Sequence, residues 1–237
     1  MLGEFPHADR EYRLTVATRG TGGAAAGPAR LTHELYGGAE LLARSHRLRD
    51  VLDALEGDLA LGVAAAATPW LFVHAGVVEW QGRAIVLPGR SFSGKTTLVA
   101  ALVRQGAAYL SDEYAVFDAR GHVHPFARPL ALRTAGGSRG EKLPVEALGG
   151  RAGSGPLPVG LVALARYRRA ASWNPRELSR GQGVLALFAN TVPARSRPAD
   201  ALAMLRGAVA TASVVAGFRG EASETATPLL FRAAGRT

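Results

Sequence analysis

The chain has 237 residues, 48% of them hydrophobic and 20% charged, which is typical of a folded domain with a substantial core. It has no cysteine, which excludes disulfides and thiolate metal sites and fits a cytoplasmic location. The formal net charge of +9 comes from scattered arginines, so we expect no dedicated nucleic-acid function.

The N-terminal quarter predicts a small α/β extension over residues 1–60. It opens with no basic segment followed by an apolar one, so we expect no signal peptide. Residues 11–17 alternate like a strand, and the Gly- and Ala-rich residues 18–29 predict a flexible connection. Residues 40–61 carry leucines at helical spacing, which predicts a helix interrupted near Gly57.

Residues 59–78 carry no formal charge over a length that could cross a membrane. Pro69 and His74 interrupt this run, and most of its other residues are Ala or Gly. We therefore expect the end of a helix followed by a buried strand, with no membrane span.

A second domain, residues 61–237, is predicted to alternate strands and helices, which indicates the α/β class with a central mixed sheet flanked by helices. The pattern predicts strands at 70–80 and 83–89, a helix at 96–106, and then a strand, an acidic pair, a strand, a turn and a strand by residue 126. A further strand is expected at 159–167, helices near 179–190 and 198–212, a strand at 213–218 and a last helix at 223–232.

The Gly- and Pro-rich residues 135–158 predict a flexible loop beside the core, of the kind that forms lids or binding loops. Lys142 lies in this loop. It is interpreted either as a solvated charge or as a contact to substrate or nucleotide.

The segment GRSFSGKT, residues 89–96, fits the phosphate-loop pattern G-x-x-x-x-G-K-[ST] between a buried strand and a helix. Backbone N–H groups of such a loop and of the helix N-terminus cradle phosphates, while the lysine and the hydroxyl serve phosphate and Mg²⁺. The alternative is a Gly-rich turn with an incidental lysine. The predicted nucleotide-binding residues are Gly89, Arg90, Ser91, Phe92, Ser93, Gly94, Lys95, Thr96 and Thr97.

Lys95 is one of only two lysines among 28 basic residues, the rest being arginine. A planar guanidinium cannot replace a slender ammonium inside a closed phosphate loop. The retained lysine therefore favours phosphate binding over an incidental turn.

Asp112 and Glu113 follow a predicted strand 17 residues after Lys95. If that strand runs parallel to the one before the loop, its end lies beside the loop, where carboxylates can hold Mg²⁺ or accept a proton. The alternative is an exposed turn. His74, on the preceding hairpin, is interpreted either as a core residue or as a partner that tunes Asp112.

The segments VHAGVV (73–78), LPGRSFSGKTTLVAAL (87–102) and GAAYLSDEYAVFD (106–118) resemble, in this order, the catalytic domain of the HPr kinase/phosphorylase family, particularly its HPr-kinase-related branch. FARPLALR (126–133) and the C-terminal helices extend the resemblance over roughly residues 70–231. Phe92 stands where the family usually has Gly, and Glu113 where it has a second Asp.

The resemblance implies a P-loop kinase fold related to phosphoenolpyruvate carboxykinase, with ATP and Mg²⁺ as cofactors. It implies Asp112 as the general base, Glu113 and Thr96 as metal ligands with Asp112, and His74 as the tuning residue. Arg128 or Arg133 would steady phosphate charge. The resemblance also allows a homo-oligomer.

Three functions follow as hypotheses. The first is an ATP-dependent kinase acting on a hydroxyl, Ser or Thr above all, of a protein, peptide or small molecule. The second is a nucleotide-binding ATPase or switch, and the third is a binding module without turnover.

Overall fold

The computed structural model describes residues 11–19, 30–90, 93–132 and 141–235. The chain divides into two compact units, Met1–Ala66 and Ala67–Thr237. The predicted boundary between residues 60 and 61 lies inside a helix that belongs to the first unit. The predicted flexible connection lies largely outside the described residues.

The first unit is a three-stranded antiparallel sheet and one helix. Its elements are β1 (Tyr12–Arg19), β2 (Arg30–Gly37), β3 (Glu40–Ser45) and α1 (Leu48–Ala66). The Tyr12 hydroxyl donates to Asp58 at 2.6 Å, which ties β1 to α1.

The helix predicted over 40–61 was wrong in its first part, because β3 occupies residues 40–45. There the alternating residues pair with β2 across a turn at Gly38, whose φ is +61°. Gly57 does not interrupt α1. Helical spacing of leucines was misleading because strand pairing outweighs local propensity over a short segment.

The second unit is a mixed α/β layer structure. Its strands are β4 (Leu71–Trp80), β5 (Arg83–Pro88), β6 (Ala108–Ser111), β7 (Tyr114–Phe117), β8 (Val123–His124), β9 (Leu130–Leu132), β10 (Glu141–Leu143), β11 (Val159–Tyr167), β12 (Arg176–Glu177) and β13 (Ser213–Arg219). Its helices are α2 (Lys95–Arg104), α3 (Arg180–Phe188), α4 (Pro198–Ala208) and α5 (Ala222–Ala233).

The main sheet has the order β12-β13-β11-β5-β4-β7-β8, with β6 also paired to β4. Strands β13, β11 and β5 are parallel, whereas β4 is antiparallel to its neighbours β5, β6 and β7. Strands β5 and β6 therefore point the same way but do not touch, because β4 lies between them. The expected parallel relation holds with one strand interposed.

Helices cover both faces of this sheet because each central strand is apolar on both sides. Val77, Val86 and Val162 face the core formed with α3 and α4. Their sequence neighbours face the core formed with α2 and α5. These adjacent residues, Val78, Ile85 and Leu161, are all at most 1% exposed.

The predicted strands and helices of residues 70–132 and 159–235 are confirmed to within a few residues, apart from the short strands β9 and β12, which were not foreseen. The uncharged run holds the end of α1 and then the expected buried strand, which is β4. No helix in the described ranges is long and apolar enough to cross a membrane.

The predicted loop at 135–158 is only partly a loop. Residues 133–140 lie outside the described part of the chain. Beyond them, β10 pairs with β9, and a 3-10 helix spans Val145–Leu148. Gly150 packs so closely that a Cβ there would lie 2.2 Å from Val103 of α2. The sequence showed the glycines but not this packing against the core.

Candidate phosphate-binding site

The predicted phosphate loop joins the end of β5 to the start of α2. The Gly89 N–H donates to the His74 carbonyl at 3.2 Å, and the Ser93 N–H donates to the Arg90 carbonyl at 3.3 Å. A Cβ on Gly89 would lie 2.8 Å from the Ser93 hydroxyl. The chain thus turns too tightly there for any side chain. Ser91 and Phe92 lie outside the described residues.

Helix α2 begins directly after Gly94, which has a φ of +83° and provides no side chain to cap the helix. The first helical hydrogen bond runs from the Leu98 N–H to the Gly94 carbonyl. The N–H groups of Lys95, Thr96 and Thr97 therefore precede any partner within the helix. Such a terminus carries a partial positive charge that suits an anion.

Lys95 folds its side chain back into the loop. Its ammonium donates to the carbonyls of Gly89 at 2.8 Å and Arg90 at 2.7 Å. Burial lowers the pKa of Lys95, while the charges of Asp112 and Glu113 oppose that change. An ammonium has three donors, so two of them close the loop and the third can serve a phosphate.

The acidic pair lies across β4 from the loop. Strand β6 ends at the buried Ser111, whose hydroxyl accepts the N–H groups of Glu113 and Tyr114 at 3.2 and 3.1 Å. The Ala75 N–H of β4 donates to the Glu113 carbonyl at 3.1 Å. Because β4 holds the loop on one side and this turn on the other, both reach the same edge of the sheet.

Asp112 sits among hydroxyl groups beside the loop. Burial raises the pKa of Asp112, and hydrogen bonding from Thr96 and Tyr109 and the charge of Lys95 oppose the rise. The Tyr109 hydroxyl lies 3.0 Å from Asp112 Oδ1 and 2.8 Å from the Arg128 carbonyl. A carboxylate in contact with the hydroxyl that follows the loop lysine is arranged for a shared divalent cation.

Glu113 pairs with Arg128, with 2.9 Å between its Oε2 and the guanidinium Nη1. Burial raises the pKa of Glu113, and the Asp112 carboxylate raises it further. The charges of Lys142 and Lys95 oppose this change. Lys142 thus lies near the acidic pair. Arg133 lies outside the described residues.

His74 is half-buried on β4, and its ring lies 4.7 Å from that of Tyr114. Burial lowers the pKa of His74, and the Lys95 charge lowers it further. Within the described ranges, no hydrogen bond joins His74 to Asp112, so the expected contact is not formed. The neutral imidazole borders the site but packs on an aromatic ring.

Gly76 explains how α2 comes so close to the sheet. A Cβ there would lie 2.5 Å from Val99 Cγ2 and 3.8 Å from the Lys95 Cβ. Because β4 carries no side chain at this point, the first turns of α2 lie directly on the strand. Lys95 is held at the sheet edge by this close approach.

Three residues at the site were not singled out as candidates or only weakly so: Tyr109, Arg128 and Arg219. Tyr109 is 1% exposed on β6, and Arg219 is 3% exposed at the end of β13. The Arg219 Nη2 donates to the Gly94 carbonyl at 2.9 Å. No local pattern indicates Arg219, because 125 residues separate it from Gly94.

The described residues contain no group of three or more His, Cys, Asp or Glu side chains arranged to hold a metal. The candidate oxygen ligands are two carboxylates and one hydroxyl. Mg²⁺ typically takes only one or two carboxylates from a nucleotide-binding protein and completes its shell with phosphate oxygens and water. This donor set therefore fits such a metal only together with a nucleotide.

Comparison of the chain with protein-family models, with curated proteins and with solved structures finds no match in any of the three. The fold itself defines a mixed α/β protein with a strand–loop–helix unit at one edge of its main sheet.

Proposed function

We propose that this protein is an ATP-dependent kinase that transfers the γ-phosphate to a hydroxyl group of a protein, peptide or small molecule, with Ser and Thr as the favoured acceptors. One observation carries the proposal. The loop lysine and Thr96 converge with the Asp112 carboxylate at one sheet edge, although β4 separates the strands that present them.

The nucleotide phosphates would lie on the N–H groups of Gly94, Lys95 and Thr96, ahead of α2. These groups are backbone donors of fixed direction, so they do not need to reorganise as charge moves during transfer. Lys95 would give its remaining donor to the β- and γ-phosphates. The lysine is already held at the mouth of the loop by the two carbonyl groups.

Thr96, Asp112 and Glu113 would hold Mg²⁺ with the phosphates. The cation would neutralise charge on the transferring phosphoryl group. The contact between Thr96 and Asp112 supports this arrangement, since both are oxygen ligands of the kind that Mg²⁺ prefers.

Asp112 is the proposed general base. It would accept the proton of the acceptor hydroxyl as that oxygen bonds to the γ-phosphorus and the bond to the β,γ-bridging oxygen breaks. Its pKa, raised by burial, makes it a stronger base than an ordinary aspartate. Arg128, through its ion pair, would orient Glu113.

A nucleotide-dependent ATPase or switch is the second candidate. The Glu113–Arg128 pair favours it, because a half-exposed carboxylate and a guanidinium at a phosphate site can orient water in place of an acceptor hydroxyl. Water would then take the phosphoryl group, and no partner would be modified.

Incubation with γ-labelled ATP, Mg²⁺ and candidate acceptors separates the two. Label on an acceptor supports the kinase, release of phosphate alone supports the ATPase, and neither product with tight ATP binding indicates a binding module. Asp112→Asn should lower transfer by about 10²–10⁴-fold, the usual contribution of a general base, while ATP binding persists.

Asp118→Asn is the matched control, because Asp118 lies in the turn after β7 and bonds only that turn and its histidines. It should transfer phosphate at the wild-type rate. Near-normal transfer by Asp112→Asn would refute the base assignment. Unchanged nucleotide binding by Lys95→Ala would refute the site as a whole.

A further inference from the structure

Arg219 is a buried cation in direct contact with the phosphate loop. It is 3% exposed and ends β13. Its Nη1 donates to the Gly220 carbonyl and its Nη2 to the Gly94 carbonyl, both at 2.9 Å. Its Nε is buried and has no hydrogen-bond partner.

Among the described residues, the charge of this guanidinium has no acidic partner at close range. In the part of the chain that the structure describes, no carboxylate lies within the 4.0 Å of an ion pair with Arg219. The Tyr167 ring faces it at 5.4 Å. Burial lowers the pKa of Arg219 against the opposing charge of Glu221. Burying a charge without a partner is costly, so such a residue is retained for some other gain.

The place of contact indicates the gain. The Gly94 carbonyl and the Lys95 N–H belong to the same peptide group, and that N–H is the first donor of α2. A charged donor on the carbonyl withdraws electrons from the peptide and makes its N–H a stronger donor. A Cβ on Gly94 would lie 2.6 Å from Nη2, so a larger residue there would displace the guanidinium.

We propose that Arg219 is a positioning residue of the phosphate site, which fixes and polarises the Gly94–Lys95 peptide and thereby sets the affinity of the loop for polyphosphate. The inference deepens the proposed function and rests on it for the identity of the ligand. It places the last strand of the sheet, and not only the loop sequence, in the anion cradle.

Selective ¹⁵N-lysine labelling tests this in the full chain, because only Lys95 and Lys142 then give amide signals. Lys142→Arg assigns the two signals. Without any nucleotide, Arg219→Met should move the Lys95 amide proton upfield and leave Lys142 in place. A Lys95 amide unchanged in Arg219→Met would overturn the inference, whatever the protein binds.

Calorimetric titration with Mg-ADP and with pyrophosphate gives the second readout. Arg219→Met should bind both about tenfold more weakly, the size expected for loss of a hydrogen bond from a charged group. Arg219→Lys should recover part of the affinity. Arg219→Gln keeps a neutral donor, so it should change the Lys95 amide shift and both affinities in the same directions as Arg219→Met, by smaller amounts. It replaces the Met variant in the test if that variant does not fold.

Arg83→Met is the matched control. Arg83 also donates to backbone carbonyls and also has a buried Nε without a partner, but at the opposite end of the sheet. It should leave the Lys95 amide and both affinities unchanged. Equal losses in the Arg83 and Arg219 variants would show a general effect on stability and overturn the inference.

The titrations also separate this inference from the proposed function. If the wild-type protein binds neither ligand, the proposed function fails and the effect on affinity fails with it. If the wild type binds and Arg219→Met binds equally well, only the inference fails.

Discussion

The two ends of the parallel strands β5, β11 and β13 use the same residue type for different purposes. At the amino end, Arg83 lies within hydrogen-bonding distance of the carbonyls of Val159 and Thr211, which precede or begin the two neighbouring strands. At the carboxyl end, Arg219 binds the carbonyl of a loop glycine that starts a helix. The first arrangement fastens strands, whereas the second is proposed to act on a backbone donor of the candidate phosphate site.

The difference follows from what each end leaves unpaired. Behind Arg83 the chain closes with the turn Gln81–Gly82, and its backbone groups belong to a hairpin. At the other end, the first N–H groups of α2 have no partner within the helix, and Lys95, Asp112 and Glu113 lie close to them. A sheet of parallel strands thus concentrates unpaired donors and buried charge at its carboxyl edge.

The largest effect should come from Gly94→Ala compared with Gly82→Ala. Both glycines have positive φ, +83° and +74°, so both variants pay strain of about 1–3 kcal/mol. Only at Gly94 does the new methyl group also displace the Arg219 guanidinium. We expect Gly94→Ala alone to lose pyrophosphate affinity, measured by calorimetry beside urea unfolding. Similar pyrophosphate affinity in Gly94→Ala and Gly82→Ala would contradict the difference drawn between the two ends of the parallel strands.

A second effect concerns the glycines beneath the helices. Gly76→Ala places its Cβ 2.5 Å from Val99 Cγ2 and should cost about 1–3 kcal/mol of unfolding free energy through overpacking. The double variant Gly76→Ala/Val99→Ala removes the clashing methyl group and should recover part of that loss.

Gly160→Ala is the control for this prediction, since its Cβ would approach the Arg83 side chain at 3.0–3.3 Å, less closely than the Cβ at position 76 approaches Val99. We expect a smaller loss there. Strict additivity in the double variant, by urea unfolding, would contradict the packing explanation.

Two aspartates, Asp112 in the site and Asp118 in the turn after β7, should respond to pH with opposite signs. The pKa of Asp112 is raised mainly by burial, so its charge destabilises the fold as pH rises through that pKa. Burial raises the pKa of Asp118, but hydrogen bonds from His124, His122 and Arg120 outweigh this and lower it. The charge of Asp118 therefore stabilises the fold, and that stability is lost as pH falls.

At pH 7 without Mg²⁺, Asp112→Asn should therefore raise the melting temperature, and Asp118→Asn should lower it. The expected loss of unfolding free energy in Asp118→Asn is about 1 kcal/mol, the usual value for one lost hydrogen bond. Below the ordinary aspartate pKa the Asp112 difference should disappear, whereas the Asp118 difference should disappear only as pH falls through the lowered pKa of Asp118. Thermal unfolding followed by circular dichroism across pH measures them. A loss of stability in Asp112→Asn at pH 7 would contradict the cost assigned to its buried charge.

The smallest effect should be that of Arg83→Met on stability. It removes contacts of one Nη2 group to backbone oxygens at 3.1–3.3 Å and should cost about 1 kcal/mol. Urea unfolding measures this loss. A loss of several kcal/mol would mean that contacts at the amino end of the sheet contribute more to stability than those at the carboxyl end.

Much of the second unit could be predicted because its signals are local. Continuous apolar runs predicted the buried strands β4, β5 and β11, and the glycines at 89 and 94 with Lys95 predicted the loop and helix. The strand β3 was missed because its six residues, with two leucines and one alanine, satisfy both helical and strand patterns. The paired strands β9 and β10 were missed because each is only three residues long and depends on its partner.

The site itself could be predicted only in part. Lys95, Thr96, Asp112 and Glu113 belong to short motifs, and the structure brings them together. The His74–Asp112 contact was expected from their order along the chain, but the side chain direction on β4 takes the ring to Tyr114 instead. Side-chain direction depends on pleat and neighbours, which spacing alone does not contain.

By itself the sequence determined the elements with their own local chemistry: the buried strands, the tight glycine loop, the uncapped helix and the acidic turn. Only the tertiary structure decided that β4 lies between β5 and β6, that Arg128 pairs with Glu113, and that Arg219 bonds Gly94 from 125 residues away. The reason is physical. Backbone conformation and burial are set within a few residues, whereas the partner of a buried charge is chosen by strand order across the whole sheet.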